Sequence, residues 1–335
     1  MALPFADVLR AYRGRRVLIT GASGFLGRWV ARLLHAEGAE LWLAGRRRKD
    51  LEALGEAYQF AGRIIATDLS AAGAFARLYG EALPAVTFHL AGYGVDPEER
   101  DPALAEKLNH KLIEQIANVI GAEPGAGWPG LRLVHAGSAA EYGAVAGPVT
   151  EDTPENPVNL YGRTKLAGAC ALRHVIEGKN LRATTARLFT VYGPGEHVHR
   201  LLPSLLAAAE SGSTLDLTAG EQQRDFTYVA EAAEGLLRLG ASATPVPPVI
   251  NIATGTLTSV RRFAETAGEV LGMRPGQLHF GALPTRPDET PHGPVSTAKL
   301  EALTGWHPAT SVRGGIEHTA EFVSRLEKTK TGVRS

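Results

Sequence analysis

Thr20-Gly21-Ala22-Ser23-Gly24-Phe25-Leu26-Gly27 decides how the rest of the chain is read. The apolar run Val17-Leu18-Ile19 before it has the look of a buried strand. Trp29-Val30-Ala31-Arg32-Leu33-Leu34 after it places apolar residues at helical spacing. Strand, glycine turn and helix in that order form the setting of a phosphate-binding turn. The pattern predicts a tight turn at Gly21, a close backbone approach to a pyrophosphate at Gly24, and close helix–strand packing at Gly27. The free N–H groups and positive dipole end of the helix would face the anion, with Ser23, Phe25 and Leu26 around it. The glycines are spaced G-x-x-G-x-x-G, and three glycines alone also make an ordinary turn. The flanking strand and helix are what turn the reading toward a nucleotide.

Further strands follow at regular intervals. Leu41-Trp42-Leu43-Ala44-Gly45 reads as the second, and Arg46-Arg47-Arg48-Lys49 comes directly after it. In dinucleotide folds an acid at this place binds the 2′-hydroxyl of NAD, whereas arginine accommodates the 2′-phosphate of NADP. Leu41 to Lys49 contains no acid, so Arg46 and Arg47 point to NADP(H), with NAD(H) as the alternative. A basic loop is also an ordinary solvated surface. Residues 63–67 read as a third strand ending at Asp68-Leu69; the acid there either accepts from an adenine amino group or caps the next helix. Residues 85–90 form a fourth, closing in Leu90-Ala91-Gly92, where small residues let a cofactor pass close to the backbone. His89 reads as a core histidine. Residues 102–121 read as a helix, 131–135 as a fifth strand, 158–177 as a helix and 182–189 as a sixth strand. Strands alternating with helices predict an α/β fold: a Rossmann-type, doubly wound parallel sheet whose loops gather in one crevice. Beyond Gly193-Pro194-Gly195 the pattern loosens into a smaller mixed C-terminal lobe, with helices near 202–210, 230–239, 259–271 and 312–327. The division expected is a dinucleotide-binding domain over 1–190, returning near 220–255, and a substrate lobe over 191–219 and 256–330. Val249-Ile250-Asn251 should rejoin the sheet.

Composition sets limits. The 335 residues carry 35 Lys+Arg and 35 Asp+Glu, so no net charge favours nucleic acid or a membrane surface. No stretch approaches the ~20 apolar residues that span a bilayer. Met1 to Arg16 lacks the apolar run of a secretory signal, and Cys170 is the single cysteine, so a cytoplasmic setting is expected. No cluster suggests a metal.

The chemistry is carried by three residues. Tyr161 and Lys165 stand at i and i+4 in the first turns of a helix, so both can face one cleft. A free tyrosine has a pKa of ~10 and is a poor proton carrier at neutral pH. An ammonium alongside would lower it and make the phenol a usable general acid and base. Ser138, just past the fifth strand, would hydrogen-bond the reacting oxygen. A Y-x-x-x-K pair arises often by chance; the glycine turn and Ser138 make this one functional.

With these residues in place the chain resembles extended short-chain dehydrogenase/reductases of the NAD-dependent epimerase/dehydratase family. The resemblance covers nearly the whole chain: residues 20–27, Asp68-Leu69, His89 to Gly92, Ser138 with Tyr142-Gly143, and Tyr161 to Lys165. It continues through 192–195, 224–229, Asn251-Ile252, 286–289 and 305–308. It implies a nucleotide-diphosphate sugar as substrate, with Thr190, Arg224, Arg286, His199 and Arg200 around it, and a homodimer built on helices 102–121 and 158–177. Leu104, Leu108, Leu112 and Leu166 would then form an apolar outer stripe, and Cys170 would pack. Arginine independently suits a diphosphate; Arg224 pairing only with Asp225 is the alternative.

Dehydratases of this family place an acid pair directly after the catalytic Ser/Thr; here stand Ala139 and Ala140, and Glu141 should point elsewhere. Glu141-Tyr142-Gly143 is similar to 4-keto-6-deoxyhexose reductases. Reduction of a 4-keto group is therefore expected, with a 4-epimerase holding NAD tightly as the alternative and a non-catalytic NADP sensor as the reading from another class. Reduction of a ketone without a nucleotide would leave Arg224 and Arg286 no anion to hold. Two positions depart from the family pattern: Thr190 replaces an asparagine, and Ala230 an acid, with Glu231 next.

Overall fold

The computed structural model describes residues 3–95, 98–125, 127–284 and 290–330. The expected runs become strands, within a residue or two of their bounds except at the end of β5: β1 (Arg16–Thr20), β2 (Glu40–Gly45), β3 (Arg63–Ala66), β4 (Val86–His89), β5 (Leu133–Ser138) and β6 (Ala183–Leu188). Ser138 is the last residue of β5 rather than the first beyond it, in register with Leu188. Between the strands lie α1 (Phe5–Arg10), α2 (Phe25–Ala36), α3 (Arg48–Tyr58), α4 (Ala74–Ala82), α5 (Pro102–Glu106), α6 (Leu112–Ala122) and α7 (Leu160–Lys179). Asp101 caps α5 through the N–H groups of Ala103 and Leu104, with Pro102 in the first turn. Asn159 caps α7 through the Gly162 N–H at 2.8 Å, and a left-handed Asn180 ends it. The stretch expected as one helix over 102–121 is interrupted by a π turn at Lys107–Lys111.

The distal half contains β7 (Thr190–Tyr192), α8 (Leu201–Ser211), β8 (Leu215–Leu217), β9 (Gln223–Tyr228), α9 (Val229–Ala241), β10 (Val249–Ile252), β11 (Leu257–Ser259), α10 (Val260–Val270), β12 (Leu278–Phe280), α11 (Ala298–Thr304) and α12 (Val312–Lys330). β10 rejoins the main sheet beside β6, as expected, giving the parallel order β3-β2-β1-β4-β5-β6-β10. The order reverses between β1 and β4, where ligands of such sheets bind. β11-β9-β7 and β12-β8 are separate small sheets.

Both faces of the large sheet are covered, which is why its strands read as continuous apolar runs. One face packs on α2 and α9, with Val30, Leu34, Leu236 and Leu239 buried. The other packs on α4, α6 and α7 through Leu78, Ile116 and Leu172. α12 folds back over α2: the Phe322 ring lies 5.3 Å from Trp29 and 5.1 Å from Tyr58. No described helix is long and apolar enough to cross a membrane.

Candidate active site

The C-terminal edges of β1 to β4 open into a crevice of about 300 Å³. Its floor is the glycine turn. Gly21 has φ +72°, and a Cβ there would sit 2.6 Å from the Ala91 backbone nitrogen; a Cβ at Gly27 would collide with the Gly21 carbonyl. Gly21 therefore permits both the turn and its seat against β4, and Gly27 lets α2 start directly above β1. Gly24 is the N-cap of α2. The N–H groups of Phe25 and Leu26 open the helix without a partner inside it, while their side chains pack on the core. Ser23 and Gly24 line the crevice from one side; Leu90, Ala91 and Gly92 line it from the other.

Arg46, Asp68 and Leu69 line the same crevice; Arg47 does not. Arg46 directly follows β2 and stays at the sheet edge. Arg47 is the N-cap residue of α3 and donates to Asp50 Oδ2 at 2.7 Å. One arginine of the expected pair thus reaches the site. Asp68 Oδ1 accepts the Ser70 N–H at 2.9 Å, and α4 begins only at Ala74 behind Gly73. Asp68 caps no helix, so its carboxylate faces the crevice. The Ser70 N–H chiefly holds its pKa below the usual range, with Arg46 and Lys107 adding to the effect.

Leu104, Leu108 and Leu112 also line the crevice, which overturns their expected place in an outer apolar stripe. The π turn adds a residue to the helix and rotates its faces. Leu166 is half-buried. The outer groove between α6 and α7 is lined by Lys111, Glu114 and His174 together with Ala167, Ala171 and Val175, with Cys170 exposed among them.

Ser138, Tyr161 and Lys165 converge where β5 meets α7. Ser138 Oγ accepts the Ala140 N–H at 3.2 Å, and Glu141 Oε1 accepts the Ser138 N–H at 2.8 Å. This capping box fixes the serine rotamer at the strand end. Lys165 is 4% exposed, and its Nζ donates to the Ala136 carbonyl on β5. Burial lowers its pKa to about 8, opposed by Glu141. Burial raises Tyr161 to about 12; the Ser138 side chain and the Arg200 guanidinium oppose that rise. The expected acidification of the phenol by Lys165 is therefore absent: the ammonium is turned onto the β5 carbonyl. A phenol with this pKa keeps its proton throughout the neutral range. His89 is a core residue, as expected. It bonds Thr20 Oγ1 at 2.6 Å, stacks on His135 at 5.5 Å, and burial drops its pKa to about 3.

The small sheet β11-β9-β7 brings part of the expected substrate set together. Thr190 pairs with Phe226, two residues from Arg224, and both Thr190 and Arg224 are half-buried. The Arg200 guanidinium lies close enough to Tyr161 and Arg224 to act on both. His199 is exposed, its ring 5.3 Å from His197. Arg286 lies outside the described residues. Asp225 does not pair with Arg224. Its carboxylate accepts the N–H groups of Thr254 at 2.9 Å and Gly255 at 2.8 Å, holding the turn after β10.

Two supports escaped the sequence reading. Glu141 does point away from the site, as expected, but into a fully buried ion pair: Arg187 Nε donates to Glu141 Oε2 at 2.7 Å. Arg187 also bonds Glu155, which Arg173 holds from α7 at 2.7 Å. A lone charge at Arg187, inside a strand whose other residues are small or apolar, is the available signal. The second support is Asn109, in the π turn. Its amide takes the Tyr93 N–H at 2.9 Å and gives to the Tyr93 carbonyl at 2.8 Å and to Thr164 Oγ1 at 3.0 Å. It joins the crevice rim to the helix that carries Tyr161 and Lys165.

A profile of the NAD dependent epimerase/dehydratase family matches residues 17–253. The chain belongs to that family. It is 30% identical to a dTDP-6-deoxy-L-talose 4-dehydrogenase (NAD(P)(+)) of Kitasatospora kifunensis, over 90% of this chain and 93% of that protein. It is 26% identical to a UDP-glucose 4-epimerase of Mycolicibacterium smegmatis, over 92% and 98%. Among solved structures it resembles MoeE5 in complex with UDP-glucose and NAD, with 25% identity, TM-score 0.77, and 92% and 98% of the two chains covered. As a member of an NAD-dependent family the chain is an enzyme, and its open helix N-terminus, glycine floor and Arg46–Asp68 rim fit a dinucleotide. Beside the departure at Ala230, Glu231 has a structural use: its carboxylate accepts the N–H groups of Ala309 at 2.8 Å and Thr310 at 2.9 Å, tying the segment after the 305–308 block to α9.

Proposed function

We propose that the enzyme reduces the 4-keto group of a nucleotide-diphosphate deoxyhexose, with NADP(H) in the β1–β4 crevice. The observation that carries the reading is the proton inventory at the end of β5. Ala139 and Ala140 hold no proton, and Glu141 is spent on Arg187 in the interior. Tyr161, close enough to Ser138 to feel its hydroxyl, is then the proton carrier in reach. A hydride-and-proton exchange at one carbon needs only that; an elimination needs a separate acid and base. A bound reduced nicotinamide supplies the hydride. Ser138 holds the carbonyl oxygen, Tyr161 delivers its proton to that oxygen as the alkoxide forms, and Lys165 orients the ribose hydroxyls.

The cofactor preference rests on Arg46 at the crevice with no acid along β2 after Glu40. The substrate class rests on Arg200 and Arg224, close enough to act on each other with Tyr161 near Arg200, with Arg286 proposed as a third cation and Thr190 and His199 as neighbours. The similarity to a C4 dehydrogenase of a dTDP-deoxyhexose supports both the carbon and the sugar. Mixing the protein with NADPH or NADH and a panel of 4-keto-6-deoxyhexose nucleotides tests the reading by loss of reduced-nicotinamide absorbance. Turnover with NADPH is expected, faster than with NADH. Absence of oxidation with every sugar would overturn it, and tightly retained NAD in the purified protein would favour the 4-epimerase.

A further inference from the structure

Glu196 follows the Gly193-Pro194-Gly195 turn, and its side chain is only 7% exposed. The turn is held against the dinucleotide side: Trp29 donates to the Pro194 carbonyl at 2.9 Å, and Gly195 packs on the Arg28 guanidinium and the Tyr58 hydroxyl. Glu196 Oε1 accepts from Arg200 Nε at 3.3 Å. Its other oxygen is buried with no hydrogen-bond partner among the described residues. The terminal nitrogens of Arg200 likewise carry no hydrogen bond among those residues, and this guanidinium is the one that acts on both Tyr161 and Arg224. A buried carboxylate thus holds, by one long side-chain contact, a cation that acts on Tyr161.

We infer that Glu196 is a positioning residue that competes with the substrate's diphosphate for Arg200, so that substrate affinity is set by whether Glu196 is ionised. This rests on the reading of the substrate as a sugar nucleotide. Ionised, Glu196 engages Arg200 and repels an incoming phosphate; protonated, it releases the guanidinium and carries no charge. Burial supports the mechanism by raising the Glu196 pKa to about 7, against the pull of Arg200 and of the Gly193 backbone. The sign follows from linkage. An anion prefers the protonated form, so affinity is full below pH 7 and declines as pH rises. The other groups that face this segment are Arg28 and Tyr58 beside Gly195, Tyr161 and Arg224 beyond Arg200, and His292 next to Arg224. His197 and His199 lie on the segment itself. The histidines would produce a trend of the same sign, so the test must separate them.

Calorimetric titration of UDP-glucose and dTDP-glucose into the protein between pH 6 and pH 8 does so, because the diphosphate of either probe keeps its charge over that range. Wild-type affinity is expected to weaken roughly tenfold from pH 6 to pH 8, close to the limit for one proton. E196Q should bind at the low-pH affinity at every pH. R200Q should bind weakly and without pH dependence. An E196Q profile that follows the wild type would assign the trend to the histidines and overturn the inference while leaving the substrate reading intact. R200Q binding as tightly as wild type at pH 6 would overturn it as well. Failure of both probes to bind wild type at any pH would remove the substrate reading and this inference together.

Discussion

Tyr161 and Lys165 stand one helical turn apart yet serve different partners. The phenol is raised to about 12 and stays protonated, as a proton donor to an alkoxide requires; the ammonium, lowered to about 8 by burial, is anchored on β5. Y161F is expected to reduce turnover by roughly a hundredfold or more while leaving cofactor affinity nearly unchanged. Steady-state rates alongside a fluorescence titration of NADPH check both halves, and a sensor without catalysis would show no loss. Lys165 fixes the pH dependence. Its depressed pKa means that the charged form is present below about 8 and disappears above it, so the reduction rate should fall as pH rises through 8. A pH–rate profile reads this directly, with a flat profile to pH 10 as the contrary result. The positions of these two residues were legible from their spacing. Their ionisation was not, because it depends on which carbonyl the lysine reaches.

At the scale of elements, the turn from β5 into α7 is held by a charge chain running through β6. Removing one partner of a buried ion pair leaves the other charge uncompensated, at about 3–5 kcal/mol. E141A should therefore lose stability of that order, seen as a lower urea midpoint, and should loosen Ser138 by deleting its capping box. A change under 1 kcal/mol would show that Arg187 finds another partner. The strands of the sheet centre are plain in the sequence, since runs such as Val17-Leu18-Ile19 and Leu41-Trp42-Leu43 are apolar on both faces. Helices α3 and α4, the small-sheet strands β7, β9, β11 and β12 and the π turn do not stand out in the sequence, whereas β8 does, as a short strand over 214–218. A π turn leaves no period in the sequence, and Asn109 inside it looks like any polar helix residue.

For the molecule as a whole, two buried neutral histidines sit under the cofactor crevice, on neighbouring strands. Burial holds His89 at about 3 and also lowers His135. Both folded values lie below the unfolded ~6.5, so the stability they contribute is present above pH 6.5 and is lost as pH falls, by up to about 1.4 kcal/mol per pH unit for each. Thermal unfolding at pH 7, 6 and 5 should show a steep decline in wild type and a shallower one in H135F. Equal slopes would place the acid sensitivity elsewhere.

The claim on which the account depends is that hydride passes from a nicotinamide to C4 of the sugar and stays there. Incubating the protein with a 4-keto-6-deoxyhexose nucleotide and NADPH deuterated at the transferring position, then locating deuterium in the product by NMR, tests it most directly. The account predicts one deuterium at C4 for each NADPH consumed. A C4-inverted product carrying no deuterium, with NADPH unconsumed, would contradict it.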